Sequence, residues 1–516
     1  MTDTSVETEP AHRDASGSGP PGRVLAVVMA GVLISAIDTT IVVLALPQVE
    51  QSLHMTVTSA VWVVISYLLT TTLLATQAGR LGDMYGHVRL YRLGFATFTA
   101  GSVLCGAAWS GPALVAFRVL QGIGAACITA NSGAIVSTAY PPQRRGKAYG
   151  WIAIGWSLGA VAGIAVGGVI VTYTSWRWVF LVNAPLGIAV LALSARVLRD
   201  TGERVRHRID IAGMATLGLG LLGILWSITR APSAPADPAT LVCGIGGAVL
   251  LAAFVLVERA QREPMLRLSL LRTPMMAGSL LAALFQGLAN YAVLFLVIMY
   301  LQGPRGLSPL HASLVMVPGY VLGGVLSPWG GRFADRYGPA RPATAGLAAE
   351  TVALLLYACL TPDSGLWLVL VAGALNGLGT GLFVPANNAA VMKCSPPDLL
   401  GISSGMLRTF ASVGWVCSYS TALFIASRSI PHDLAVAVFI GTRPLHGPLA
   451  SAFVTGLHSA FWALGGIMAL AGVFSVARGV GGRPGAGSGS TGRPLRLRRG
   501  GRTGRGGAGG DGQDLP

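Results

Sequence analysis

Apolar stretches of about 20 residues recur along most of this chain, and nothing else in the sequence restricts its fold as strongly. Each is long enough to cross ~30 Å of hydrocarbon as a helix. Only helices and closed barrels satisfy their backbone in lipid. Barrel strands alternate apolar and polar residues, whereas these runs are continuous, so they predict helices. Only 11% of the 516 residues are charged and 53% are hydrophobic, against roughly 25% charged in ordinary soluble domains. The expected fold class is an all-α integral membrane protein whose surface faces lipid.

Helices are expected near 24–46, 57–78, 91–108, 113–136, 148–170, 178–197, 211–229, 239–257, 276–301, 310–328, 342–360, 365–391, 402–427 and 455–477. The charge of the connecting loops tests this count of fourteen. Alternate loops hold Arg80, Arg89 and Arg92, then Arg144, Arg145 and Lys147, and similar basic groups follow around 199–208, 259–272 and 332–341. The opposite loops hold only Arg177, Arg230, Arg305, Arg428 and Arg443. Basic loops stay on the cytoplasmic side, so both termini are expected there, in a multi-pass protein of the cell membrane. The run from Val24 is too long for the core of a cleaved signal peptide and is read as a retained first helix.

The net charge of +16 does not mark a nucleic-acid protein, because it is spread over short loops and the C-terminal segment rather than one folded face. Six scattered cysteines and eight scattered histidines show no ligand spacing, so neither a metal nor another cofactor is expected. The only lysines, Lys147 and Lys393, lie outside any phosphate-binding Gly-x-x-x-x-Gly-Lys loop, which excludes an ATP-driven pump. No cluster of acids and nucleophiles indicates an enzyme.

An internal repeat is visible. Gly79, Arg80, Asp83, Tyr85, Gly86 and Arg89 recur at identical spacing as Gly331, Arg332, Asp335, Tyr337, Gly338 and Arg341, 252 positions later. Leu120-Gln121-Gly122-Ile123-Gly124 is echoed by Leu375-Asn376-Gly377-Leu378-Gly379, 255 positions later. Two related halves are a common transporter plan, with substrate held between them near midplane. An offset of eight helices implies six per half and two more in the middle. The expected segments are a disordered 1–22, a six-helix bundle over 23–200, two linker helices over 201–272, a second bundle over 273–477, and a Gly/Arg-rich tail over 478–516 that lies in the cytoplasm.

The Gly79–Arg89 stretch resembles the loop signature of the major facilitator superfamily. Further stretches resemble its fourteen-helix drug:proton antiporter branch: Asp38-Thr39-Thr40-Ile41-Val42 with Ala45-Leu46-Pro47, Arg118-Val119-Leu120-Gln121-Gly122, Ser175-Trp176-Arg177-Trp178, and Tyr300-Leu301-Gln302. The resemblance covers about residues 24–477. It implies a monomer that exports small amphipathic molecules in exchange for protons by alternating access, with helices 1, 4, 9 and 12 lining the cavity. Gln121, Gln286, Asn290, Tyr291, Asn376, Asn387 and Asn388 are then the candidate substrate-binding residues. Export of a metabolite, peptide or siderophore, proton-linked import, and a non-transporting sensor are the competing readings.

Asp38 and Glu350 stand near the middle of apolar runs, where an ionisable group is costly and reads as functional. Asp38 is ~21 Å along helix 1, and Arg118 is ~9 Å into helix 4 from the opposite face. In a ~30 Å core these depths coincide, so the two are expected to pair and to carry proton coupling. Separating them would let the carboxyl take up a proton. By the resemblance, Glu350 falls on an outer scaffold helix, as an interhelical hydrogen bonder. The repeated loops are expected to act as conformational latches, with Asp83 near a helix N-terminus and Arg80 and Arg89 adding charge-assisted bonds. Gly155, Gly159, Gly163, Gly167 and Gly168 give helix 5 a smooth face for close packing. This run resembles the antiporter signature, but Ile164 stands where that signature has proline. Arg408 stands where relatives carry asparagine.

Overall fold

The computed structural model describes residues 21–200, 209–231, 237–261, 264, 266–396, 400–427 and 448–480. The expected tails over 1–20 and 481–516 and the charged stretch 201–208 lie outside the described residues. The described chain is helical throughout: α1 (Pro21–Leu53), α2 (Val57–Tyr85), α3 (His87–Gly106), α4 (Gly111–Ala139), α5 (Pro142–Tyr173), α6 (Arg177–Leu181), α7 (Asn183–Val197), α8 (Ile211–Arg230), α9 (Pro238–Ala260), α10 (Pro274–Asn290), α11 (Val293–Gln302), α12 (Pro309–Tyr337), α13 (Ala340–Tyr357), α14 (Leu366–Cys394), α15 (Leu400–Ser427) and α16 (Pro448–Val480). Among the described residues, eleven helical segments are long and apolar enough to cross a membrane, with α6–α7 and α10–α11 each counting as one. The helices α3, α13 and α15 pack among these eleven at the three remaining expected positions.

Local chemistry sets the helix ends. Thr56, Ser110, Asp210 and Ser308 each accept a backbone N–H of the first turn through the side chain, replacing a hydrogen bond that the helix cannot supply. Pro112, Pro238 and Pro309 follow at the position where a missing N–H costs nothing. Gly86 and Gly338 end α2 and α12 with φ of +104° and +81°, a region that side-chain-bearing residues avoid. The repeated loops therefore share a backbone requirement as well as a spacing. Helices are longer than hydropathy implied. α1 extends to Leu53 through Pro47, and α16 extends to Val480 with Arg478 buried inside it.

The packing repeats as the sequence does. α1 packs on α5 and α7, α2 on α4, and α3 on α4 and α7. Likewise α10 packs on α15 and α16, α12 on α14, and α13 on α14 and α16. The halves meet where α5 lies along α12 and α2 along α15. α8 and α9 pack on each other, and α8 touches α2 and α15 at the seam.

Glycine governs how closely these helices approach. A Cβ added at Gly163 would sit 2.7 Å from the Ile37 carbonyl oxygen, and one at Gly159 2.7 Å from Ala36 Cβ. Gly155 and Gly167 face the same helix, α1, whereas Gly168 faces Ser313 and Pro309 of α12. The glycine run of α5 thus serves two contacts, one within a half and one between halves.

Candidate functional site

Asp38 and Arg118 meet. Arg118 Nη1 donates to Asp38 Oδ2 at 2.7 Å, and both side chains are buried. The other carboxylate oxygen accepts from Gln121 Nε2 at 2.7 Å and Asn183 Nδ2 at 2.9 Å. Gln121 also donates to Ser102 Oγ and accepts from Arg118 through Oε1. Arg118 Nε donates to the Val63 carbonyl at 2.9 Å, and the guanidinium lies 4.1 Å from the Tyr67 ring centre. Five helices, α1, α2, α3, α4 and α7, thereby fix one carboxylate. Burying a charge pair is tolerable only when its remaining lone pairs and protons are also met; here both carboxylate oxygens and the Nε and Nη1 atoms of Arg118 have partners among the described residues. Asn183 and Ser102 carried no signal in the sequence, since a lone amide or hydroxyl in an apolar run is common.

Among the described residues, the acid Glu350 of the second half is bonded by an amide and a hydroxyl rather than by a cation. Glu350 is buried on α13 and turns toward α10 and α14, not toward the outside of the bundle. Its carboxyl accepts from Gln286 Nε2 at 3.2 Å and from Thr380 Oγ1 at 2.7 Å. Asn290 donates to Thr380 Oγ1, and Asn376 donates to Asn290 Oδ1 at 2.7 Å. Gln286, Asn290 and Asn376 therefore form one chain with Glu350. Asn387 belongs elsewhere: it donates to the Ser279 carbonyl and accepts from Arg478, which also bonds Ser279 Oγ and Ser475 Oγ. Asn388 is exposed on α14.

Between the halves the helix α10–α11 is interrupted at Tyr291. The first free amide of the restarted helix, Ala292 N, donates to Ser418 Oγ of α15 at 2.9 Å. A backbone amide freed at membrane depth requires such a partner. Tyr291 stacks on Trp415 (centroids 5.1 Å apart), and Trp415 faces Trp156 of α5 (6.5 Å, planes at 20°). Thr39, next to Asp38, lies beside both Tyr67 and Tyr291. A row of aromatic rings therefore spans from one half to the other at the level of the buried carboxylate.

On one side of this row α1 touches α11. Leu46, Pro47 and Glu50 of α1, Ala60 and Val61 of α2, and Phe295 and Met299 of α11 line a small pocket. Glu50 is buried there, and among the described residues its Oε1 has no hydrogen-bond partner. The sequence reading missed this acid because it sits at the end of the expected helix, where a carboxylate is ordinarily solvated. On the other side, Arg408 of α15 is exposed although it lies deep in the protein, and its Nη1 donates to the Thr129 carbonyl of α4 at 3.1 Å.

The two repeated loops differ in what they touch. In the first, His87 bridges Asp83 (Nε2–Oδ1 3.1 Å) and Asn131 (Nδ1–Oδ1 2.8 Å). Arg80 donates to the Pro264 carbonyl, which follows α9. The first amides of α3, Val88 N and Arg89 N, are held by the Asp200 carboxylate at 2.8 and 3.2 Å. This anion at a helix N-terminus was expected from Asp83; it comes from Asp200, over 100 positions away, which spacing within the loop does not reveal. In the second loop, Asp335, Arg332, Arg336 and Arg341 are exposed, and Arg332 and Arg336 lie over the rings of Trp329 and Tyr337. Gly79 and Gly331 have open space where a Cβ would stand. Among the described residues no group of three or more His, Cys, Asp or Glu is arranged to hold a metal.

This arrangement matches known proteins. A tetracenomycin C resistance and export protein of Streptomyces glaucescens is 31% identical over 421 residues, covering 80% of this chain and 78% of that protein. A methylenomycin A resistance protein of Bacillus subtilis is 31% identical, covering 76% and 84%. A riboflavin transporter of Clostridioides difficile is 28% identical, covering 78% and 87%. Among solved structures, an inward-facing bacterial homologue of the human lysosomal transporter Spinster superposes with a TM-score of 0.63 at 17% identity, covering 89% of this chain and 97% of that one. The model of the Major Facilitator Superfamily matches residues 28–419, and the chain belongs to that family of transporters.

Proposed function

We propose that this protein exports amphipathic organic molecules, drugs or antibiotics among them, across the cell membrane in exchange for protons. The observation that carries the reading is the enclosed Asp38–Arg118–Gln121–Asn183 network. One cation and two amides, from two further helices, hold this carboxylate. Helix movement that removes any of them changes what the carboxylate faces, and an ionisable group at membrane depth reads as functional. Proton uptake is thereby tied to rearrangement of α1 against α4 and α7. The reading gains support from relatives named for resistance to, and export of, antibiotics.

The remaining assignments follow from it. The arginine-rich end faces the cytoplasm with both termini. Residues 23–200 and 273–477 move as two bundles, and 201–272 supplies the intervening pair of helices. Asp83, His87 and Asn131 act with Arg80 and Asp200 as the latch of the first half. The chain works as a monomer. Export of a specific metabolite is the second reading, favoured by the riboflavin transporter among the relatives.

The test is efflux of a fluorescent dye panel into everted vesicles, with and without an uncoupler. Accumulation that collapses with the uncoupler supports proton exchange. Accumulation that is indifferent to it refutes proton exchange.

A further inference from the structure

The interior of the described helices contains both acids and bases, but they are not equally reachable. Asp38, Glu50 and Glu350 are buried to within 3% of full enclosure. Arg118 and Arg478 are buried as well. Arg408 is the exception: it is exposed to solvent while lying deep between helices. A single hydrogen bond, to the Thr129 carbonyl across the seam, accounts for one of its five N–H donors. Among the described residues the others have no protein partner, and no carboxylate lies against the guanidinium. A guanidinium with unused donors attracts an anion.

A flat apolar surface lies next to it. Trp415 is seven residues further along α15, two turns and about 10 Å away on the same face. It forms, with Trp156 and Tyr291, a half-exposed row of near-parallel rings. Stacking on aromatic faces and a charge-assisted bond to a guanidinium select different parts of one ligand. Asp38 and Glu350 are buried and hydrogen-bonded, so neither offers a free carboxylate to a cation.

We infer that Arg408 sets the charge of the cargo: the site takes flat aromatic molecules bearing a carboxylate or phenolate, and disfavours organic cations. This rests on the export reading for its transport consequence, but not for binding.

Binding is measured first, on full-length protein purified in detergent at pH 7.5, by quenching of tryptophan fluorescence. The probes are fluorescein, an anion at that pH, and rhodamine 6G, a cation on a related ring system. Wild-type protein is expected to bind fluorescein roughly tenfold or more tightly than rhodamine 6G, in keeping with one charge-assisted contact. Arg408→Gln should erase that preference, Arg408→Lys should keep most of it, and Arg408→Glu should reverse it. Equal or tighter binding of rhodamine 6G by the wild type overturns the inference without recourse to any variant. So does an unchanged preference in a folded Arg408→Gln protein. Energised dye uptake into everted vesicles is read in parallel. Selective binding of fluorescein without uncoupler-sensitive uptake leaves the inference standing and refutes proton-driven export.

Discussion

Asp38 and Arg118 stand 2.7 Å apart with neither side chain open to solvent, and Gln121 bonds to both. Removing one charge leaves the other buried without a partner, which typically costs about 3–5 kcal/mol. Asp38→Asn and Arg118→Gln should therefore each lower thermal stability and abolish uncoupler-sensitive efflux. The double variant should regain most of the stability while efflux stays lost. Thermal unfolding in detergent and vesicle transport check the two effects separately. Restored proton-driven efflux in the double variant would exclude the pair from coupling.

The glycines of α5 make a graded set. Gly163→Ala and Gly159→Ala place a methyl about 2.7 Å from backbone or side-chain atoms of α1, so the helices must part. Gly155→Ala meets nothing nearer than 3.5 Å. We expect the first two to lose roughly 1–3 kcal/mol, the usual cost of overpacking, and the third to match the wild type. The order of unfolding temperatures decides this.

His87 offers a pH test at the end of the molecule outside the lipid. Both ring nitrogens face acceptors: Asp83 Oδ1, and Asn131 Oδ1, whose amide nitrogen is committed to the Ala78 and Cys127 carbonyls. Burial opposes the charged ring. Hydrogen bonds to Asp83 and Asn131, with the charges of Asp83 and Asp200, outweigh it and raise the pKa above its ordinary value. A raised value means that the folded state gains stability below the ordinary pKa and loses it as pH climbs through the raised one. Thermal stability should fall from pH 6 toward pH 8.5, and His87→Gln should flatten that slope. An identical slope in the variant counts against the bridge.

Glu50 carries a buried oxygen with no partner among the described residues. Leaving such a group unsatisfied costs about 1–3 kcal/mol, so Glu50→Leu should raise the unfolding temperature. It should also slow transport, because the arrangement with α1 against α11 gains and one that parts them does not. A variant that is stabilised and turns over at the wild-type rate would remove Glu50 from the opening step.

Much of this was legible in the sequence. Continuous apolar runs predicted the helices, and the repeated Gly–Arg–Asp–Gly spacing matches the alike helix ends at Gly86 and Gly338, because each follows from local physics. The meeting of Asp38 with Arg118 was legible because depth along a helix is counted in residues. Partners fixed by tertiary packing were not: Asn183 from α7 and Asp200 at the start of α3 depend on how helices rotate against each other. Arg478 was read as part of a tail because arginines surround it in sequence, yet Ser279, Ser475 and Asn387 enclose it. Hydropathy averages cannot distinguish an arginine that is solvated from one that is cradled.

The interruption at Tyr291, with Ser418 holding the amide of Ala292, has a mechanical consequence. A continuous helix can tilt only as a rod, and bending it in lipid exposes backbone dipoles. Here the backbone ladder is already interrupted, and the donor it frees is held by a neighbouring hydroxyl. A change of angle between α10 and α11, where α11 lies against α1, would therefore cost a side-chain bond at Ala292 rather than a backbone one.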